Sequence, residues 1–242
     1  MSNEYYDPGE QRAAKVNDLF ARIARRYDFL NDLQSFGLHR RWKRQVVDLA
    51  RVSPGSSALD LCCGTGDLAF ALAERGAETT GLDVSPEMLE VAMRRQIKHS
   101  NSEFRNPNFI RGDAQQLPFA DNSFEIVTVG YGLRNLTSWE RGLDEMFRVA
   151  RPGARLAVLD FGKPPNAVWQ NIYFAHLKIS VPLIGLLFCG NSQAYAYILE
   201  SLKNYPAQLA VAEKMRRLKM KDVSVINLIG GAMAINLGEK PF

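Results

Sequence analysis

At 242 residues, with 46% hydrophobic and 23% charged residues, the chain is long enough to bury a full α/β core in one large domain or a domain with a modest attachment, and nothing in its composition signals disorder. The 30 Lys plus Arg nearly balance 26 Asp plus Glu, so the formal charge of +4 neither requires nor excludes an anionic partner. Three cysteines, two of them the adjacent Cys62-Cys63, form no readable disulfide framework, and His39, His99 and His176 lack metal-ligand spacing, so a reducing compartment and no metal site are expected.

Residues 1–50 carry helical patterning interrupted around Tyr27 to Gly37 and read as an N-terminal helical cap. The first seven residues lack the basic and apolar regions of a signal peptide. The apolar run Ala58 to Cys62 then breaks at Gly64-x-Gly66 and passes into Leu68 to Ala73: a buried strand, a glycine turn and a helix start. Thr79 to Asp83 supplies a second strand with a carboxylate at its tip, suited to the two hydroxyls of a ribose. Asn108 to Ala114 is a short strand followed by an acid, Asp113, and Leu117 to Gly130 gives a polar turn and a buried strand. A helix ends at Pro152-Gly153 before a strand over Arg155 to Asp160. Residues 57–162 thus alternate strand and helix, which predicts a parallel sheet with right-handed crossovers.

From Lys163 to about Lys221 the pattern changes to aromatic and apolar helices, broken at Gly190-Asn-Ser192, with an N-cap region at Tyr205-Pro206. Two final strands, Val223 to Ile229 and Ala232 to Leu237, flank Gly230-Gly231 as a closing antiparallel hairpin over 222–242. The longest uncharged apolar run, Ile179 to Cys189, is far short of the ~20 residues that span a bilayer, so a soluble or peripheral protein is expected.

A dinucleotide fold would rest a pyrophosphate on the helix N-terminus after the glycine turn. Asp67 stands there, and a fixed negative charge would repel phosphate while favouring a cationic ligand. Asp60-x-x-x-Gly64-x-Gly66 instead resembles the first motif of the Rossmann-like, class I S-adenosylmethionine-dependent methyltransferases, whose donor carries a sulfonium and no phosphate. That resemblance implies a seven-stranded, mostly parallel sheet with helices on both faces. In it the acid after the third strand, here Asp113, typically meets the adenine amino group.

Outside those shared motifs lie Arg25-Arg-Tyr-Asp-Phe-Leu-Asn-Asp32, Ser35 to Lys43, Gly132-Leu-Arg-Asn135, Tyr195 to Ser201 and Gly230 to Lys240. Together they resemble the ubiquinone/menaquinone C-methyltransferase family over essentially the whole chain. The Cys62-Cys63 pair and the tail after Lys163 look more like its branch acting on demethylphylloquinone. One departure is Asn236, where the family usually carries a histidine. The resemblance implies donor contacts at Asp60, Gly64, Thr65 and Gly66, ribose contact at Asp83, adenine contact at Asp113 and Ala114, and Gly130 beside the methionine moiety. It also implies methyl transfer to a ring carbon of a prenylated quinol.

In open α/β sheets ligands bind beyond the strands' carboxyl ends, so Tyr131, Arg134 and Asn135, after the strand ending at Gly130, should face the transferable methyl. Arg134 is the candidate for stabilising a quinol phenolate, with Asn135 and Tyr27 orienting the ring or a water that takes the proton. No base of matched pKa is evident; His39 is one alternative, and a core histidine is the other. The cluster Arg22, Arg25, Arg26, Arg40, Arg41, Lys43 and Arg44, diluted by Asp18, Asp28, Asp32 and Asp48, reads either as a solvated helix face or as contact with an anionic membrane surface, placing the protein in the cytoplasm or against the membrane's inner face. A nucleic-acid partner is not expected, because Gly-Tyr-Gly-Leu-Arg-Asn replaces the Asn/Asp-Pro-Pro-Tyr of amine methyltransferases. Methylation of a sterol, a phospholipid or another small molecule remains the alternative, with RNA methylation behind it, and homodimerisation, the quinone nucleus and the tail length are open.

Overall fold

The computed structural model describes residues 12–98, 104–189, 199, 201–202 and 204–242. Helices α1 (Arg12–Ile23), α2 (Tyr27–Ser35) and α3 (Leu38–Leu49) precede the sheet. Then follow β1 (Ser57–Leu61), α4 (Asp67–Glu74), β2 (Glu78–Asp83), α5 (Pro86–Lys98), β3 (Asn108–Arg111), β4 (Phe124–Gly130), α6 (Trp139–Val149) and β5 (Ala150–Phe161). The chain closes with α7 (Ala167–Cys189), α8 (Ala207–Arg217), β6 (Lys221–Leu228) and β7 (Met233–Glu239).

The strands form one seven-stranded sheet in the order β3-β2-β1-β4-β5-β7-β6. Neighbouring strands from β3 through β5 pair in parallel, whereas β7 pairs antiparallel with both β5 and β6. The expected architecture and closing hairpin are therefore present. Successive strand residues point to opposite faces. Leu59, Leu61, Val127, Val129, Leu156 and Val158 accordingly meet α6 and α8 through Leu143, Met146, Val211 and Met215. On the other face Ala58, Ile126, Ala157, Leu159 and Ile235 meet α3 and α4 through Trp42, Val46, Val47, Leu68 and Leu72. Both faces are covered, which is why the central strands read as continuous apolar runs rather than alternating ones.

Two boundaries differ from the sequence expectation. The stretch taken as an interruption, Tyr27 to Gly37, is mostly helix α2, and the break is only the left-handed pair Phe36 (φ 51) and Gly37 (φ 74). The Arg-Pro-Gly corner lies inside β5, because Ala150 already pairs with Phe124 across a register shift before Arg155 pairs with Ile126. The break at 190–192 and the Tyr195 to Ser201 motif fall largely outside the described residues.

A polar clasp joins the ends of the helical region. Gln208 accepts from the Lys163 backbone N–H at 2.9 Å and donates to the Lys163 carbonyl at 3.0 Å, while buried Asn236 on β7 donates to the Gln208 carbonyl at 2.8 Å. Asn236 is thus engaged in tying α8 to the sheet.

Candidate active site

β1 and β4 are neighbours whose chains continue in opposite directions along the sheet, to β2 on one side and β5 on the other. A crevice opens beyond such a switch point. Here it is a cleft of about 840 Å³, open mouth included, with walls from the ends of β1, β2 and β4, the loop after β3, and the cap helices α1 and α2. Gly64, Asp83, Asp113, Ala114, Gly130, Asn135 and Tyr27 all line it.

The glycine turn is shaped by backbone and by packing. Gly64 and Gly66 sit at φ 55 and 87, where a side chain is strained. A Cβ on Gly66 would approach Phe109 to 2.8 Å and Phe70 to 3.0 Å, so that glycine lets the turn settle on an aromatic pair. Asp83 is buried at the tip of β2; its two carboxylate oxygens accept from the backbone N–H of Gly64 (2.8 Å) and of Ser85 (2.9 Å). Burial pushes its pKa up, while those N–H groups pull the other way. Each oxygen keeps a lone pair for a diol. Asp113 accepts from the Gln115 backbone N–H at 2.8 Å at the far wall.

Four of the expected residues do not line the cleft. Asp60 is 1% exposed and accepts from Thr128 Oγ1 at 2.9 Å; burial, partly opposed by Thr128 and Lys43, raises its pKa to about 7. Gly66 faces Phe70 and Phe109. The Thr65 hydroxyl donates to Asp28 at 2.6 Å. Arg134 is buried, with Nε 3.2 Å from Asp160, Nη1 donating to Asn135 Oδ1 at 2.7 Å and to Ser201 Oγ at 3.1 Å, and its guanidinium 4.8 Å from the Phe161 ring centre. Asn135 in turn donates to the Tyr131 carbonyl at 3.0 Å and lines the cleft, so Arg134 touches the cavity wall through Asn135. His39 also lies outside the lining: it is buried, with Nε2 2.8 Å from Asp32, and burial lowers its pKa.

Asp67 corrects the electrostatic expectation. It begins α4, but its carboxylate is held by Lys43 Nζ at 2.8 Å and Arg95 Nη1 at 2.6 Å and does not line the cleft. Burial alone would raise its pKa, yet Lys43 and Arg95 outweigh that and hold it well below the carboxylate range. The negative charge facing the cleft is that of Asp83 and Asp113 instead.

Tyr131, expected beyond the strand ending at Gly130, does line the cleft; its hydroxyl has no hydrogen-bond partner among the described residues, and Lys43 Nζ lies 5.7 Å from its ring centre, while sequence reasoning missed Cys62 as a wall residue. Cys62 (φ 50) and Tyr131 (φ 62) are both left-handed, non-glycine residues just past the adjacent strands β1 and β4. Such strain gathers at functional sites. A Cβ on Gly132 would run into the Cys62 side chain, so the loop after β4 can cross β1 only as glycine.

The cavity suits a donor such as S-adenosylmethionine: a glycine turn for close backbone approach, a held carboxylate for the ribose, and acids rather than basic phosphate ligands. Among the described residues no group of three or more His, Cys, Asp or Glu could hold a metal ion.

Comparison with known proteins agrees with this geometry. The chain is 41% identical to a demethylmenaquinone methyltransferase of Desulfitobacterium hafniense over 238 residues, 96% of this chain and 92% of that protein. It is 38% identical to a ubiquinone/menaquinone biosynthesis C-methyltransferase UbiE of Azotobacter vinelandii, covering 97% and 93%. A SAM dependent methyltransferase from Aquifex aeolicus shares the fold at TM-score 0.58 and 17% identity, covering 81% of this chain and 88% of that one. A match over residues 8–240, nearly the whole chain, completes the assignment: the protein belongs to the ubiE/COQ5 methyltransferase family.

Proposed function

We propose that this methyltransferase moves the methyl group of S-adenosylmethionine to a ring carbon of a reduced, prenylated quinol in quinone biosynthesis. The observation that carries the reading is the cleft itself, where the ribose-type carboxylate Asp83 and the cap residue Tyr27 share one cavity with Asn135. Full-length similarity to proteins named for demethylmenaquinone and ubiquinone/menaquinone methylation supports the quinol acceptor.

The donor supplies an electrophilic methyl on a sulfonium. The protein's tasks are to place the acceptor carbon in line with it, keep bulk water out and stabilise the phenolate whose electrons form the new C–C bond as the S–CH3 bond breaks; the ring C–H proton at that carbon then leaves to solvent and the quinol is aromatic again. Asp83 and Asp113 hold the donor's ribose and adenine ends, Gly130 flanks its methionine end, and Asn135 and Tyr27 orient the ring or the water that takes the phenolic proton. Asp160, 3.2 Å from Arg134, offsets much of the guanidinium charge. Stabilisation of the oxyanion therefore falls to the Asn135 amide, which Arg134 holds from behind.

Peripheral membrane contact belongs to the same reading. Among the described residues no helix is long and apolar enough to cross a membrane. However, α7 exposes Val168, Ile172, Ile179 and Leu183 along one face, and α2 and the turn after it expose Phe29 and Phe36. The basic cluster contributes less than its composition suggests, since Arg22 pairs with Asp18, Arg40 with Asp32 and Lys43 with Asp67.

The test is a methylation assay with purified protein and S-adenosylmethionine against reduced demethylnaphthoquinol and reduced benzoquinol acceptors, each alongside its oxidised form. Turnover should require the quinol and reveal the nucleus. Equal turnover of the oxidised quinone with reductants excluded would overturn the phenolate chemistry.

A further inference from the structure

Tyr27 and Asp28 are neighbours in α2, yet their side chains serve different walls. Tyr27 lines the cleft, whereas Asp28 Oδ1 accepts the Thr65 hydroxyl at 2.6 Å, in the middle of the glycine turn. Arg95 of α5 donates from Nη1 to the Thr65 carbonyl at 2.9 Å and lies 2.6 Å from Asp67 and 3.3 Å from Asp28. Lys43 of α3 closes the set on Asp67 at 2.8 Å. Two cations and two carboxylates from four helices thus surround a turn whose own conformation is loosely determined, because glycine stands on both sides of Thr65. The hydroxyl and the carbonyl of Thr65 are both committed to groups outside the turn.

We propose that Asp28 is a positioning residue for the methyl donor: it fixes the turn that receives the donor and couples that turn to the cap helix bearing Tyr27. The inference rests on the donor reading above. A shift of α2 that widens the acceptor side must loosen Thr65, and a filled donor site must favour the closed cap. By linkage, each ligand then strengthens the other by the same factor.

Calorimetric titration of S-adenosylmethionine and of S-adenosylhomocysteine into the full-length wild type, Asp28→Ala, Thr65→Val and the double variant tests this. Asp28→Ala should weaken binding about tenfold or more, the scale of a lost hydrogen bond to a charged group. Thr65→Val should do the same, and the double variant should lose no more than the worse single one, as for two ends of one bond. Turnover at saturating donor should fall far less than donor affinity. Donor affinity of Asp28→Ala within twofold of wild type, or losses that add, would overturn the proposal. Should Asp28→Ala lose its cooperative melt, Thr65→Ser against Thr65→Val carries the test: serine keeps the hydroxyl that Asp28 accepts and should bind donor like wild type, whereas equal affinities of the two variants would overturn the proposal. A wild type that binds neither compound would instead overturn the donor reading itself.

Discussion

Replacing Asp67 with alanine removes the carboxylate shared by Lys43 and Arg95, whose nitrogens lie 2.8 and 2.6 Å from it. The Lys43 and Asp67 side chains are only 10% and 17% exposed, so the pair is poorly screened. At an effective dielectric near 20 each contact is worth roughly 4 kcal/mol before desolvation. Arg95 keeps Asp28 and the Thr65 carbonyl as partners, but Lys43 is left buried beside the Tyr131 ring with its counter-ion gone. Breaking a buried pair from one side costs about 3–5 kcal/mol, and for a chain of this length that corresponds to a fall of about 6–20 °C in Tm. Circular-dichroism melts and urea denaturation at pH 7 would measure it. Lys43→Met combined with Asp67→Leu should recover most of the loss, because an apolar pair of similar volume carries no desolvation debt. The gap has a pH signature as well. A carboxylate whose folded pKa is depressed contributes its stability above the unfolded value near 4 and loses it as pH falls towards the folded value. The difference between wild type and Asp67→Ala should therefore be full at pH 7 and shrink below about pH 4. An Asp67→Ala protein within about 1 kcal/mol of wild type at pH 7 would mean that the triad is a solvent-screened surface pair, and would refute the reasoning.

Asp83→Ala should weaken donor binding by about 1.5–3 kcal/mol, read by calorimetry; unchanged affinity would remove the ribose assignment. Arg134→Lys should leave donor affinity intact while turnover falls on the order of a hundredfold, since a flexible ammonium cannot hold both Asn135 and Ser201 against Phe161. An unchanged turnover number, with folding checked by a melt, would make Arg134 purely structural. Asp60 has the opposite pH sign to Asp67. Its folded pKa is raised to about 7, so its contribution is complete below the unfolded value and lost as pH rises through about 7. Asp60→Asn should thus gain on wild type between pH 5 and pH 8, on the order of 2 kcal/mol, and a gap that does not change with pH would count against it.

What the sequence revealed was local. The β1–turn–α4 unit was legible because an apolar run, two glycines and a second apolar run lie within sixteen residues, Ala58 to Ala73, and each constrains its neighbours. The closing hairpin was legible for the same reason. Helix α2 was not, since it buries only Leu30 fully and so presents no apolar stripe, while Asn31 and Asp32 weaken its intrinsic preference. Asp67 was misread because its partners come from 24 residues before it and 28 after it, on helices whose relative placement no short window contains. Thr65 and Arg134 were correctly placed at the ends of their strands, but the direction of a side chain depends on what packs behind it, Asp28 in one case and Asp160 in the other.

The Gln208 clasp makes the chain between 163 and 208 a detour that returns to its point of departure. Its two ends are pinned because Gln208 holds both backbone groups of Lys163 and Asn236 seats α8 on β7, and α7 adds anchors of its own where Trp169 Nε1 and the Tyr173 hydroxyl donate to the Ile229 and Ala232 carbonyls. Loop-closure entropy grows only logarithmically with length, so added length between these anchors costs the sheet little. The fold has in effect a mounting frame, in which a helical segment is fastened at set points to one continuous sheet.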